Sequence, residues 1–186
     1  MGSAAAARAR ARRHARFVAV MRPDRRTRIV DVGCGPLGLR AFAPDLDVTG
    51  VDLADRPDYP GPFVQADATR RLPFEDGEFD VAYSNSLIEH LPPAARPAFA
   101  AEVKRVARRW WVQTPAFGFP VEPHALLPAA HWLPPTLRRR YWRLGVAGDW
   151  EEISLLRRAE LVDLFGEPVI AERIGPLAKS WIAVRA

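Results

Sequence analysis

Cysteine is nearly absent: Cys34 stands alone among 186 residues. An intrachain disulfide is therefore excluded, and a reducing compartment fits. Lysine is almost as scarce, occurring only as Lys104 and Lys179, so positive charge rests on arginine. No apolar run approaches the roughly 20 residues needed to cross a bilayer. No apolar segment with a cleavage site follows the first arginines, so neither a membrane span nor a secretory leader is expected, and the expected location is cytoplasmic. Acidic residues are missing from one stretch in particular. Residues 1–28 hold nine arginines against Asp24 alone, a local charge of +8, which leaves the rest of the chain at −3 of the overall +5. The basicity belongs to an N-terminal helix or arm, residues 1–27, read as a solvated face or a binder of phosphate polymers. The body is slightly acidic, and nucleic acid is not the expected partner. No repeat or linker divides residues 28–186, which are read as a single domain with enough chain for a substantial core.

What is present is an alternation of short apolar runs and helical stretches. Strong helix formers predict a helix over residues 4–21, stopped by Pro23. Strands are expected at 28–32, 48–51, 63–66, 79–84 and 110–114, and a closing pair at 169–174 and 181–184. Helices are expected at 37–42, 94–106, 137–144 and 158–165. Residues 116–150, rich in proline and aromatics at their start, read as a long loop or lid. Alternating strands and helices argue an α/β fold: a Rossmann-like, mostly parallel open sheet with helices on both faces.

The most informative string is Val30-Asp31-Val32-Gly33-Cys34-Gly35-Pro36-Leu37-Gly38. A buried strand ends in a glycine turn, and nineteen residues past Gly33 a second strand ends in Asp52. That pairing is how α/β proteins grip an adenosine moiety. The loop also satisfies the nicotinamide pattern G-x-G-x-x-G, but Asp31, two residues before the first glycine, would repel a pyrophosphate and welcome a sulfonium bearing an ammonium group. Asp52 offers only acceptors, which suits ribose hydroxyls. Asp67 after the third strand can take an exocyclic amine while Ala68 leaves room for a ring, or it can cap a helix.

These residues carry a resemblance. The chain resembles the class I S-adenosylmethionine-dependent methyltransferases, specifically the small type 11 methyltransferase domains. The matching strings are Val30 to Gly35, Val48 to Leu53, Ala66-Asp67-Ala68, Leu72-Pro73-Phe74, Phe79-Asp80-Val81-Ala82, Ser84 to Leu91 and Glu102 to Val106. The resemblance covers residues 28–115 well and the remainder loosely. It implies a seven-stranded sheet with one antiparallel strand near the C-terminus, and S-adenosylmethionine as cofactor. Asp31, Gly33, Cys34 and Gly35 would lie under the methionine part, Asp52 and Leu53 at the ribose, Asp67 and Ala68 around adenine, and Ser84 and Asn85 beside the transferable methyl. The chain departs from the pattern where helices after the first two strands are short, and where Arg108-Arg109 replace a glycine before strand five.

For chemistry, a base is needed when the acceptor loses a proton. His90, shortly after strand four, is a candidate base or a histidine bonded to backbone. His124 in the loop is a substrate contact, a lid residue or a packed side chain. His131 beside Trp132 reads as packing and His14 as surface. Glu89-His90 with His124 matches fragments of the metal-assisted small-RNA 3′-end methyltransferases, but Ser86 stands at their first glutamate position and no fourth ligand is evident, so no metal is expected. The tryptophans and phenylalanines around the long loop read as packing or as an aromatic acceptor pocket. The absence of an Asp-Pro-Pro-Tyr-like string counts against methylation of DNA bases. The expected activity is methyl transfer to a small-molecule acceptor, at oxygen. The alternatives are a nicotinamide-dependent oxidoreductase and a non-catalytic binding protein of the same fold.

Overall fold

The computed structural model describes residues 4–186, with side chains from residue 11 onward. Met1 to Ser3 and the side chains of Arg8 and Arg10, part of the basic segment counted above, lie outside the described residues. A helix, α1 (Ala4–Met21), leads into β1 (Arg28–Val32), β2 (Asp47–Asp52), β3 (Phe63–Gln65) and β4 (Phe79–Asn85). Then come α2 (Arg96–Val106), β5 (Ala107–Pro115), a two-stranded hairpin of β6 (Val121–Glu122) and β7 (Leu127–Pro128), α3 (Pro135–Trp142), α4 (Arg158–Phe165), β8 (Val169–Ile174) and β9 (Leu177–Arg185). Seven strands form one sheet in the order β3-β2-β1-β4-β5-β9-β8. β1 pairs in parallel with β2 and β4, β2 with β3, and β8 and β9 pair antiparallel. The expected fold class is borne out, including the antiparallel C-terminal pair.

The chain divides into two compact units. One comprises residues 1–85, 97–112 and 184–186; the other comprises 86–96 and 113–183. In the first, β1 is apolar enough to be buried along nearly its whole length, as a central parallel strand must be. α1 is not a solvated arm. Phe17 and Met21 are completely buried, and the Phe17 ring meets Tyr83 edge-on at 5.0 Å and Trp111 at 5.8 Å. The helix end is tied down by Arg109, whose guanidinium donates to the Met21 carbonyl at 3.0 Å.

Two family strings explain each other physically. Glu102 Oε2 accepts the Leu72 N–H at 2.9 Å, and Arg105, paired with Glu102, donates to the carbonyls of Phe74 at 2.8 Å and Leu72 at 3.1 Å. The Leu72-Pro73-Phe74 turn is thus clamped to α2 by side chains 30 residues away in sequence. This pairing holds the Glu102 carboxyl below its ordinary range through the Arg105 hydrogen bond.

Two sequence expectations are corrected. Residues 37–42 form turns, not a helix. Besides the expected helix, seen as α3, the long loop contains the β6–β7 hairpin and a short turn of 3₁₀ helix at Ala130–Trp132, with Ala125, Trp142, Ile153 and Leu155 in a small core.

Docking of α1 through one aromatic anchor gives a direct test. Phe17→Ala is expected to lower unfolding free energy by about 3–5 kcal/mol, while Val18→Ala, at a position 37% exposed, changes it by less than about 1 kcal/mol. Urea unfolding followed by tryptophan fluorescence measures both.

Candidate functional site

In the first unit, parallel pairing of β1 with β2 brings the glycine turn against the tip of β2. The N–H groups of Gly33 and Cys34 both donate to the Val51 carbonyl, at 2.8 and 3.1 Å, and that of Gly35 donates to Asp52 Oδ2 at 2.8 Å. All three donors of the turn are therefore spent inside the protein. An anion nest needs free N–H groups at a helix N-terminus; here the donors are taken and no helix follows. This geometry disfavours pyrophosphate and with it the nicotinamide alternative. Gly35 has φ +60, and a Cβ there would project into open space, so a ligand can lie directly on the bare backbone.

Beneath the turn lies Asp31, buried, with Oδ2 accepting the Leu39 N–H at 2.6 Å. This bond pulls residues 37–39 into a tight bend in place of the expected helix. Gly38 allows the bend: it has φ +57, and a Cβ would sit 2.6 Å from Asp31 Oδ2. Burial pushes the Asp31 carboxyl up to about 7, against the lowering hydrogen bond from Leu39, and the nearby Asp52 charge adds to the rise. Burial likewise raises the Cys34 thiol to about 12, so Cys34 is an inert wall residue.

A cavity of about 330 Å³ opens over this floor, with Asp31 and Cys34 at its base, apolar Leu37 and Phe42 on one wall, and Arg13 and His14 from α1. His14, expected at the surface, is thus corrected: its Nε2 is buried without a hydrogen-bond partner, and burial lowers its pKa. Asn85 lines the same cavity and accepts from Arg13 at 3.2 Å. Ser84 is turned away, fully buried and donating to the Val32 carbonyl at 2.8 Å, where it ties β4 to β1.

Asp52 is more occupied than a bare ribose ligand. Its Oδ1 accepts the Ala54 N–H at 2.9 Å, and Arg56 bridges both oxygens at 3.3 and 3.4 Å. Leu53 is exposed. Asp67 caps its own turn, with Oδ1 accepting from the Thr69 N–H at 2.9 Å and the Thr69 hydroxyl at 2.6 Å; these bonds hold its pKa low. Ala68 follows it, half-buried.

The second unit holds a different cluster. Glu89 lies in the 3₁₀ turn Ile88–His90 and is fully buried. Its Oε2 accepts from the Thr114 hydroxyl at 2.9 Å, while Oε1 has no hydrogen-bond partner among the described residues and stands 3.9 Å from His124 Nε2. The rings of His90 and His124 meet edge-on at 5.0 Å. His90 Nδ1 is held by Glu151 at 2.6 Å. His124 is positioned by buried Glu122, which accepts the backbone N–H groups of His124 and Ala125 through Oε2 and holds His124 Nδ1 through Oε1 at 2.7 Å. Burial alone would depress His124, but the Glu122 hydrogen bond and charge, with Glu89 and Glu151, outweigh it and raise its pKa. Burial raises Glu89. A cavity of about 490 Å³ adjoins this cluster, lined by Glu89, His90, Pro92, Arg138, Glu152 and Ser154.

The two histidines singled out by sequence are therefore brought together, 34 positions apart. Sequence reasoning missed Arg13, Glu122 and Glu151; the Glu122-Pro123-His124 spacing was the one signal that could have found Glu122. His131, read as packing, is bonded to the Phe117 carbonyl at 2.9 Å and buried.

Residues 30–109 match the family described as "Methyltransferase domain". No curated protein sequence matches the chain. Among solved structures, the PH0226 protein from Pyrococcus horikoshii aligns with TM-score 0.63 at 17% identity, covering 90% of this chain and 84% of that one. A SAM-dependent methyltransferase from Methanosarcina mazei aligns with TM-score 0.59 at 17% identity, covering 90% and 94%. The Burkholderia thailandensis 1,6-didemethyltoxoflavin-N1-methyltransferase, solved with 1,6-didemethyltoxoflavin and S-adenosylhomocysteine, aligns with TM-score 0.59 at 15% identity, covering 92% and 74%. At these identities the likeness is one of fold.

The buried carboxylate at the cavity floor has a measurable signature. Asp31 is raised from 3.8 to about 7 in the folded state, so the native protein binds the extra proton and loses stability as pH rises between those values. Asp31→Asn keeps an acceptor for Leu39 and removes the charge. The variant is expected to gain stability over the parent as pH rises from 4 to 7, by at most about 4 kcal/mol, with no gain at pH 4. Denaturant unfolding of both proteins at the two pH values reads the difference.

Proposed function

Because residues 30–109 match a methyltransferase-domain family, we propose that the protein transfers a methyl group from S-adenosylmethionine to a small-molecule acceptor, at oxygen. When bound, S-adenosylmethionine supplies a methyl group on a positively charged sulfur. The residues of the first cavity fit it. Asp31 matches an ammonium, Arg13 a carboxylate, and the open space over Gly35 admits close approach of a ligand to backbone. Asp52 is the ribose anchor once Arg56 yields part of its carboxylate, and Asp67 with Ala68 brackets adenine. Gly33 and Cys34 shape the floor, and Asn85 stands at the cavity's edge.

The observation that carries the choice of oxygen is the Glu89–His90–His124 cluster, of which Glu89 and His90 line the second cavity. A neutral amine attacks through an existing lone pair, whereas a hydroxyl is a poor nucleophile until its proton is removed. A cluster of a carboxylate and two imidazoles, each imidazole oriented by its own glutamate, is machinery for that removal. With the methyl donor supplied by the cofactor, the cluster would take the proton that the acceptor hydroxyl gives up and pass it to water. Positioning of the reactants supplies much of the rate. Arg138 on the cavity rim favours an acceptor bearing a negative group.

Calorimetry and turnover separate the two roles. Asp52→Ala is expected to abolish measurable binding of S-adenosylhomocysteine, whereas His90→Ala binds it as the parent does and turns over about 100-fold or more slowly. Unchanged cofactor affinity in the first variant removes the ribose assignment.

A further inference from the structure

We propose that Glu89, His90 and His124 form a binding site for a divalent first-row transition cation. The three residues each present one ligand atom, all within 4.8 Å of one another. The 3.9 Å between Glu89 Oε1 and His124 Nε2 lies inside the roughly 4.4 Å that two ligands bound at about 2.2 Å can span.

Three further observations point the same way. Glu89 Oε1 is fully buried and accepts no hydrogen bond, although its twin oxygen is satisfied by Thr114. A buried anionic oxygen left without a partner is costly, and a cation is the group that removes the cost. Each imidazole has its Nδ1 held by a carboxylate, His90 by Glu151 and His124 by Glu122. That arrangement fixes ring orientation and leaves Nε2 for a ligand, as it does around bound metals. Finally, Glu89, Glu122 and Glu151 set three carboxyl groups around two imidazoles, and Arg96, whose field reaches Glu89, is itself paired with Glu160. A doubly charged ion restores the local balance.

The composition of the site selects its occupant. Two imidazoles and one carboxylate favour ions such as Mn²⁺, Fe²⁺, Co²⁺ or Zn²⁺ over the oxygen-seeking Mg²⁺ and Ca²⁺. Ser86 does not add a ligand, because its hydroxyl is committed to Gln113 at 3.2 Å. Three protein ligands leave coordination positions open, the pattern of reactive rather than structural sites, and the adjoining cavity of about 490 Å³ supplies room for them to be filled. Resting on the reading of that cavity as the acceptor pocket, the acceptor is one that offers oxygen donors to the cation.

Cobalt titration tests the site without any donor present. Metal-stripped full-length protein is titrated with Co²⁺ and followed by its visible ligand-field bands. One equivalent is expected to bind, with affinity at least tenfold weaker in Glu89→Gln and in His124→Ala, and about 10–100-fold weaker in Glu122→Gln, which acts by positioning His124. Circular dichroism confirms that each variant is folded, and the more exposed His124→Ala serves if Glu89→Gln does not fold. Absence of the bands, or bands undiminished in folded His124→Ala, overturns the proposal. S-adenosylhomocysteine binding, measured on the same samples, is expected to be unaffected. Cobalt binding by a protein that fails to bind S-adenosylhomocysteine therefore supports the cation site and sinks the methyl-transfer reading. Donor binding without cobalt binding does the reverse.

Discussion

A single buried carboxylate organises the donor end of this molecule. Asp31 lies near the end of a central strand, almost wholly buried, and accepts a short hydrogen bond from the Leu39 N–H. That bond dictates the bend at residues 37–39, the bend requires Gly38, and the bend replaces the helix that commonly follows such a turn. Because the neighbouring N–H groups are already given to Val51 and Asp52, the turn presents no positive field of its own. What remains is a floor with latent negative charge under a bare backbone. This is the inverse of a phosphate cradle, although the loop shares its glycine pattern with nicotinamide-binding proteins.

The strand skeleton was legible because central parallel strands are short, apolar and punctuated. The limits 28–32, 158–165 and 169–174 read from composition agree with the observed elements. The missed elements share a cause: their conformation is set by partners distant in sequence. Residues 37–42 have helix-compatible composition, but Asp31 claims the Leu39 N–H from below. The arginines of α1 dominate its composition, and the eye reads a solvated face; yet Phe17 and Met21 fix its rotation, and that rotation carries Arg13 and His14 to a cavity. The same holds for the histidines. Each was visible as a candidate, but only the fold brings His124 to Glu89, and only the hairpin register explains why Glu122 lies under it.

Conversely, some strings are recognisable because they solve a mutual problem. Leu72 and Phe74 expose carbonyls at a tight turn, and Arg105 with Glu102 closes them off. A carboxylate–guanidinium pair on one helix face can satisfy several backbone groups together, with geometry that Lys could not supply. In this chain the two strings are therefore physically coupled.

Arg56 changes what Asp52 has to offer a ligand. Asp52 at the tip of its strand does not stand as an uncompensated charge, because a guanidinium four residues downstream leans across it. On the proposed ribose role, loading is an exchange of partners: the carboxylate passes from one set of donors to another, and a nucleoside competes with a tethered rival whose grip loosens as counter-ions accumulate.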